Sequence, residues 1–244
     1  MTGNKKKYED SAYFRVINAL LISNGVSLTL SMLRILDSGN FRYSFMTWNL
    51  MLAWIPLGVA WWLVQRLKST PWLSWQNITL ALVWLAFLPN SFYLLSDFIH
   101  VYDTGEVSHL YDVVMFGSFI FNAFFVGYLS IYLLHKELLK RISYRSAHVI
   151  IASVLLACSF AIYLGRSLRW NSWDLALQPA GILFDVSEGI VNPSSHPESL
   201  VTTTTFFLLL SSTYLVIWEL IYALKSDTPK PKSKKPSKSS MKNK

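Results

Sequence analysis

Four polar residues recur along one apolar stretch of the sequence, FLPNSFYLLSDFIH. Asn90, Tyr93, Asp97 and His100 are spaced by three, four and three residues, so a helix would place all four on one face. A carboxylate and an imidazole one helical turn apart could hold a divalent cation or take part in acid–base chemistry. This face is therefore the first candidate for a functional site.

A second group of polar and aromatic residues lies in GRSLRWNSWDLALQP, and its members are Arg166, Arg169, Trp170, Asn171, Trp173 and Asp174. Two guanidinium groups one turn apart are well shaped to bind a carboxylate or a phosphate. The tryptophans would suit a lipid headgroup or a sugar, or they form part of an aromatic belt at a membrane interface. Asp174 is expected to cap a helix. All six are candidate ligand-binding residues.

The chemistry of Asp97 and His100 stays open on the sequence alone. They could bind a divalent metal, with further ligands taken from Asp103, His109 and Asp174. Alternatively, Asp97 pairs with one of the two arginines and holds two helices together. No motif indicates a cofactor, and neither HExxH nor a related metal motif occurs.

The elements that must position these residues are predicted to be membrane-spanning helices. Of the 244 residues, 52% are apolar and 15% are charged, whereas about a quarter of a soluble domain is charged. A helix needs about 20 mostly apolar residues to cross a bilayer. Six stretches qualify: 13–36, 44–65, 77–99, 112–135, 147–168 and 201–224. The sequence thus predicts an all-α, polytopic transmembrane bundle of about six spans.

Local features refine this bundle. Pro89 cannot donate a backbone hydrogen bond, so the third span is predicted to be kinked or broken. The first span is rich in Asn, Ser and Thr and is expected to pack inside the bundle. Asn122 is expected to share a face with Asp112 and to project into the same interior. The apolar segment 175–183 contains Pro179 and is too short to span, which predicts an interfacial or re-entrant segment.

Basic residues predict the orientation of the spans. With both termini in the cytoplasm, the inner segments hold 18 of the 22 lysines and arginines, in keeping with the bias of positive charge toward that side. The outer segments hold only Arg34, Arg42, Arg166 and Arg169. The last two are expected to pair with the acidic residues of the third span and of the connection after it, which are Asp97, Asp103, Glu106 and Asp112.

The charged termini flank the predicted helical domain. We divide the chain into a basic N-terminus (1–12), a six-helix transmembrane domain (13–224) and a Lys-rich tail (225–244). The tail has eight lysines against one acidic residue, Asp227, and is predicted to be disordered and to lie against anionic lipid headgroups. Because the tail carries most of the net charge of +8, no nucleic-acid partner is expected.

The stretches FLPNSFYLLSDFIH and GRSLRWNSWDLALQP resemble the two signatures of an uncharacterised family of bacterial integral membrane proteins, domain-of-unknown-function family 1361. The resemblance extends from about the second span to the sixth. Ser91 is a minor departure, because family members typically have a smaller residue after the Pro–Asn pair. The resemblance implies a multi-pass protein of the bacterial cytoplasmic membrane and implies no activity.

Three functions are compatible with these features. The leading hypothesis is an outward-facing polar cavity between the third, fourth and fifth spans that binds, and in one version transports, a small polar or anionic ligand. The second is a membrane-embedded enzyme that acts on a lipid-linked substrate at the outer leaflet. The third is a non-catalytic accessory protein whose polar residues only hold the bundle together. No motif decides whether the protein is an enzyme.

Overall fold

A computed structural model describes residues 2–102, 105–191 and 197–226. Its helices are α1 (Thr2–Ser38), α2 (Phe45–Arg66), α3 (Trp75–Phe87), α4 (Asn90–Tyr93), a 3-10 helix (Leu94–His100), α5 (His109–Leu138), α6 (Tyr144–Ser167), α7 (Asp174–Leu177), α8 (Pro179–Val191) and α9 (Pro197–Ser226). Those residues contain no strand, and the prediction of an all-α fold is confirmed. Asp103, His196 and the tail from residue 227 onward lie outside the described residues.

Six segments are long and apolar enough to cross a membrane: Ala12–Ser38, Phe45–Arg66, Trp75–His100, His109–Leu138, Tyr144–Ser167 and Pro197–Leu224. Their number agrees with the predicted six spans and suggests a multi-pass membrane protein. Large apolar side chains are exposed around the bundle, including Ile22, Trp61 and Phe121, which is consistent with contact with lipid. We call the end formed by residues 39–44, the start of α5 and residues 168–178 the predicted outer end.

Helix α5 is the centre of the bundle. Each of three buried hydrophobic clusters includes α5 side chains, among them Phe116, Val126 and Ile131. A helix that is covered on most of its circumference needs apolar residues all round, and α5 has them. The other long helices pack around it.

The third span is interrupted at Pro89, as predicted. Helix α3 ends at Phe87, α4 begins at Asn90, and the chain then tightens into the 3-10 helix that ends at His100. Helix α4 is wedged against α5, since a Cβ atom added to Gly127 would lie 2.6 Å from the Cβ of Ser91. In a 3-10 helix, side chains three residues apart lie one above the other, so Asp97 and His100 project to the same side.

Helix α1 corrects one prediction. It lies at the periphery of the bundle, with Leu21, Ile22 and Met32 among its exposed residues. Some of its polar residues, such as Asn18 and Thr29, are exposed, and those that are buried form a polar stripe of Asn24, Ser27, Ser31 and Arg34. A spacing of three to four residues places the residues of this stripe on one face, and the exposed remainder of the span is mostly apolar.

Asn122 does project into the interior, as predicted, but it faces α1. Its side-chain amide donates to the Ser27 hydroxyl at 2.8 Å and to the Ser23 carbonyl at 3.1 Å. The polar groups of α1 and α5 thus satisfy each other, as buried polar groups must.

The segment after α6 forms two short helices, neither of which is long enough to span a membrane. Asp174 is the first residue of α7, and Trp173 occupies the capping position before it. The predicted cap is therefore displaced by one residue, and the Asp174 carboxylate accepts the backbone N–H of Asn171 at 2.7 Å. This bond fixes the turn between α6 and α7.

Candidate functional site

A cavity of about 730 Å³ lies at the predicted outer end of the bundle. Eight of the ten residues selected from the sequence line it: Asn90, Tyr93, Asp97, His100, Arg166, Trp170, Asn171 and Trp173. Arg169 is exposed instead, with φ at 61°, and Asp174 stabilises the adjacent turn. The two polar groups of the sequence thus meet at one site.

The walls of the cavity differ from those predicted. They come from α2, the interrupted third span, α6 and the segment 170–182, whereas the prediction named the fourth span in place of the second. Helix α5 presents Phe116 and Phe119 to the buried core, its polar residues Asp112 and Asn122 contact α1, and no α5 residue lines the cavity. Asn49 of α2 is a site residue that the sequence interpretation missed. An isolated amide within the apolar run of the second span was the available signal.

A charged cluster lies at the polar end of the cavity. Nη1 of Arg166 is 3.7 Å from Oδ1 of Asp97, and its Nη1 and Nη2 atoms are 3.2 and 3.3 Å from Nε2 of His100. Asn49 donates to Oδ2 of Asp97 at 3.1 Å. Because Nε2 of His100 accepts from the guanidinium, this imidazole carries its proton on Nδ1.

The pairing of Asp97 with Arg166 was one of the alternatives left open by the sequence, and the structure contains it. Asp97 is 3% exposed, while the Arg166 side chain is a quarter exposed and lines the cavity. An arginine has five N–H groups; the contacts with His100 engage two of them among the described residues, and the contact with Asp97 at 3.7 Å is an ion pair beyond hydrogen-bond distance. Arg166 can therefore brace the helices and still donate to a ligand.

The rim is held by contacts between loops and helices. The Asn90 amide donates to the Ser172 hydroxyl at 2.8 Å, and the indole N–H of Trp170 donates to Oδ2 of Asp185 at 2.7 Å. A Cβ atom on Gly181 would lie 2.8 Å from the Trp170 ring, so only glycine permits this close approach. Trp170 is thus packed within the protein, whereas Trp173 is 41% exposed.

In a second polar cluster, the acidic residues that follow the third span have partners other than those predicted. Arg34 is 1% exposed and is 3.1 Å from Oδ1 of Asp112 and 3.2 Å from Oε2 of Glu106. Arg42 is 3.2 Å from Oε1 of the same glutamate. Glu106 and Asp112 therefore bind Arg34 and Arg42, and not Arg166 and Arg169. The polar stripe of α1 ends at Arg34 and is the sequence signal that identifies this partner.

Two groups of this cluster outside the spans have shifted pKa values. Burial alone would raise the pKa of Glu106, but hydrogen bonds from Asn40 and Arg34 and the charges of Arg42 and Arg34 outweigh it, so the net shift is downward. Burial, with the nearby Asp112 carboxylate, raises the pKa of the Tyr43 phenol. The Arg34 guanidinium lies over the Tyr43 ring, 4.5 Å from its centroid.

Two histidines, His135 and His148, belong to an aromatic cluster outside the cavity. At the opposite end of the bundle, His135 stacks on Trp218 with ring centroids 4.1 Å apart, and His148 lies 4.5 Å from His135. Nδ1 of His135 is 2.9 Å from the Tyr214 hydroxyl. These rings join α5, α6 and α9 and lie away from the cavity.

The residues at the cavity are poorly arranged to bind a metal ion. Within the described ranges, no group of three or more His, Cys, Asp and Glu residues could hold a metal ion. Asp97 and His100 both contact the Arg166 cation, which would repel a divalent ion at the same position. The arrangement instead suits recognition of an acceptor-rich group.

The fold and the site together define a helical protein of membrane type with a polar cavity at one end of its bundle. The chain belongs to a family described as "Protein of unknown function (DUF1361)", which matches residues 48–212. That range includes Asn49, Asp97, His100 and Arg166, but it excludes Arg34 and all of α1. No curated protein and no solved structure matches the chain.

Proposed function

We propose that this protein binds a small polar or anionic ligand in the cavity, with Arg166 as the principal contact. The observation that carries this proposal is the position of Arg166, which contacts Asp97 and His100 and lines a cavity of about 730 Å³ with a quarter of its side chain exposed. Ligand cavities of this size, with a few convergent polar groups, are the usual form of a small-molecule site.

The polarity of the lining favours an anion or an acceptor-rich group. Side-chain donors at the cavity come from Arg166 and from the amides of Asn49 and Asn171, each of which has a second N–H beside the one that it donates to Asp97 or Asp174. The carboxylate of Asp97 is buried and already accepts from Asn49. A carboxylate or phosphate would thus meet mainly donors, and guanidinium groups bind such oxyanions through paired hydrogen bonds.

Binding is better supported than catalysis. His100 is the side chain best suited to act as a general base, but its Nε2 atom accepts from the Arg166 guanidinium. It would have to leave this contact before it could take a proton from a substrate. Transport of the ligand is compatible with the cavity. The ligand would then contact the exposed side of Arg166 first as it enters.

The uneven distribution of basic residues supports an orientation of the protein in its membrane. We propose that the protein lies in a bacterial cytoplasmic membrane with both termini in the cytoplasm, because 18 of its 22 lysines and arginines then lie on that side. The cavity would accordingly open outward. The Lys-rich tail would lie against anionic headgroups of the inner leaflet.

A thermal-shift experiment tests ligand binding. The full chain in a neutral detergent is melted with inorganic phosphate, acetate or glycerol, for the wild type and for Arg166→Gln and Arg169→Gln. Binding to the folded state raises the melting temperature with ligand concentration. We expect phosphate to stabilise the wild type and Arg169→Gln saturably and to have little effect on Arg166→Gln, while glycerol has no saturable effect on any of them.

Asn171→Ala keeps the proposal testable if Arg166→Gln fails to fold. Asn171 is exposed at the rim, so we expect its replacement by alanine to weaken the phosphate shift without unfolding the protein. The accessory-protein alternative predicts that Arg166→Gln lowers the melting temperature and that no anion shifts the wild type. Absence of a phosphate or acetate shift in the wild type, or an equal shift in Arg166→Gln, would overturn the proposal.

A further inference from the structure

The cavity continues away from its polar end along an apolar wall. This wall is formed by side chains of α2, α3 and α6: Leu52, Leu82, Leu85, Ala86, Ala157 and Ala161. Ala157 and Ala161 are one turn apart on α6, so the small side chains lie on one face of that helix. They leave room between α6 and α3 that larger residues would fill.

The apolar wall reaches the surface of the bundle. Leu82 is 60% exposed and Ala157 is exposed as well. Ala157 precedes Arg166 by nine residues, which corresponds to about 14 Å along a helix. It is the fourteenth of the 24 residues of α6, close to the middle of a predicted span. The cavity therefore opens sideways at the depth of the hydrocarbon core.

We infer that the ligand is an amphiphile, a lipid whose anionic headgroup binds at Arg166 and whose alkyl chain lies along the apolar wall between α3 and α6. This inference rests on the proposed function and adds the chemical class of the ligand. A free phosphate or carboxylate would use the polar end only and would leave the wall exposed to water or lipid. An alkyl chain buries it, and a lipid reaches the opening without leaving the bilayer.

Photochemical crosslinking tests this inference. The full chain is placed in nanodiscs of phosphatidylcholine with a trace of phosphatidic acid that carries a photoactivatable diazirine in its acyl chain, and the crosslinked peptides are identified by mass spectrometry. We expect crosslinks concentrated at 82–86 and 157–161, and we expect unlabelled phosphatidic acid to compete them away.

Plug variants make the test specific. Ala161→Leu fills the space along the wall and is expected to lower these crosslinks at least about fivefold. Ala157→Leu, at an exposed position, serves as the plug if Ala161→Leu lowers the melting temperature. Ala152→Leu is the matched control, because it lies on the same helix away from the cavity lining, and it should leave the crosslinks unchanged.

The outcomes separate the two proposals. Crosslinks spread evenly around the bundle, or unaffected by either plug, overturn the lipid inference while a phosphate shift that depends on Arg166 leaves the proposed function standing. Loss of both the localised crosslinks and the phosphate shift overturns the proposed function as well. Localised crosslinks that Ala161→Leu lowers, together with a phosphate shift that depends on Arg166, support both.

Discussion

At the scale of single residues, two buried or half-buried arginines act in different ways. Arg34 is enclosed and hydrogen bonds to Asp112, Glu106 and Ser38, so its role is to join α1 to α5. Arg166 contacts Asp97 and His100 but keeps a quarter of its side chain exposed to the cavity. Both arginines depart from the positive-charge bias, and the difference in their exposure separates a structural residue from a candidate ligand contact.

Removal of the Arg34 charge should strongly destabilise the protein. In Arg34→Met the Asp112 carboxylate, 1% exposed, would remain buried without its partner, and breaking a buried pair in this way costs about 3–5 kcal/mol. Arg42→Gln is the matched control, because Arg42 is 35% exposed and an exposed pair contributes at most about 1 kcal/mol. The measurement is reversible unfolding in detergent, and equal losses in the two variants would contradict this assignment.

The lowered pKa of Glu106 predicts a pH dependence of stability. A carboxyl group whose pKa is depressed by folding stabilises the protein above its unfolded pKa, roughly 4.3, and this contribution is lost as the pH falls through the lower folded value. The wild type should therefore melt at a higher temperature than Glu106→Gln, and this difference should be largest at pH 6 to 7 and should shrink on acidification toward about pH 3. A difference that grows on acidification would show that the sign is wrong.

At the scale of elements, the interruption of the third span creates the site. Pro89 ends α3, and the following 3-10 helix stacks Asp97 and His100 on the side that faces Arg166 of α6. The close contact between α4 and α5 at Gly127 and Ser91 holds the interrupted segment in position.

Enlarging Gly127 should displace this segment. Gly127→Ala would place a methyl group 2.6 Å from the Cβ of Ser91, and such overpacking costs roughly 1–3 kcal/mol. Gly117→Ala on the same helix has nothing within 4 Å of the added Cβ and should be neutral or slightly stabilising. Unfolding midpoints of the two variants check the prediction, which fails if Gly127→Ala is as stable as Gly117→Ala.

The sequence predicted some parts of this arrangement better than others. Hydropathy and length located the six spans, and Pro89 located the interruption, because both are local properties of the chain. The partners of Glu106 and Asp112 were assigned incorrectly, since they depend on how α1 docks against α5. Asn49 was missed and α5 was wrongly placed in the cavity wall for the same reason. Packing between distant segments leaves only weak signals in a single sequence.

At the scale of the whole molecule, orientation in the membrane remains a prediction that a labelling experiment decides. Cys158 is buried and can be replaced with Ser, after which Ser69→Cys and Gln178→Cys place single thiols at opposite ends of the bundle. A membrane-impermeant maleimide on intact cells should label Gln178→Cys, and should label Ser69→Cys only after lysis. The reverse pattern would invert the bundle and place the cavity on the cytoplasmic side.

The cavity depends on features of the residues, of the helices and of the whole bundle. Its polar end depends on single residues, its walls on the interrupted third span, and its direction on the topology of the bundle. The exposed apolar surface and the lateral opening at Leu82 and Ala157 connect it to the bilayer. The proposed function therefore depends on the binding of an anion at Arg166.

Isothermal titration calorimetry of inorganic phosphate into the full chain in phosphatidylcholine nanodiscs measures this binding. We predict saturable binding to the wild type, binding within about twofold in Arg169→Gln, and affinity at least about tenfold lower in Arg166→Gln, because a lost charged hydrogen bond costs roughly 1.5–3 kcal/mol. Equal affinity in all three proteins, or no binding to the wild type, would contradict the account.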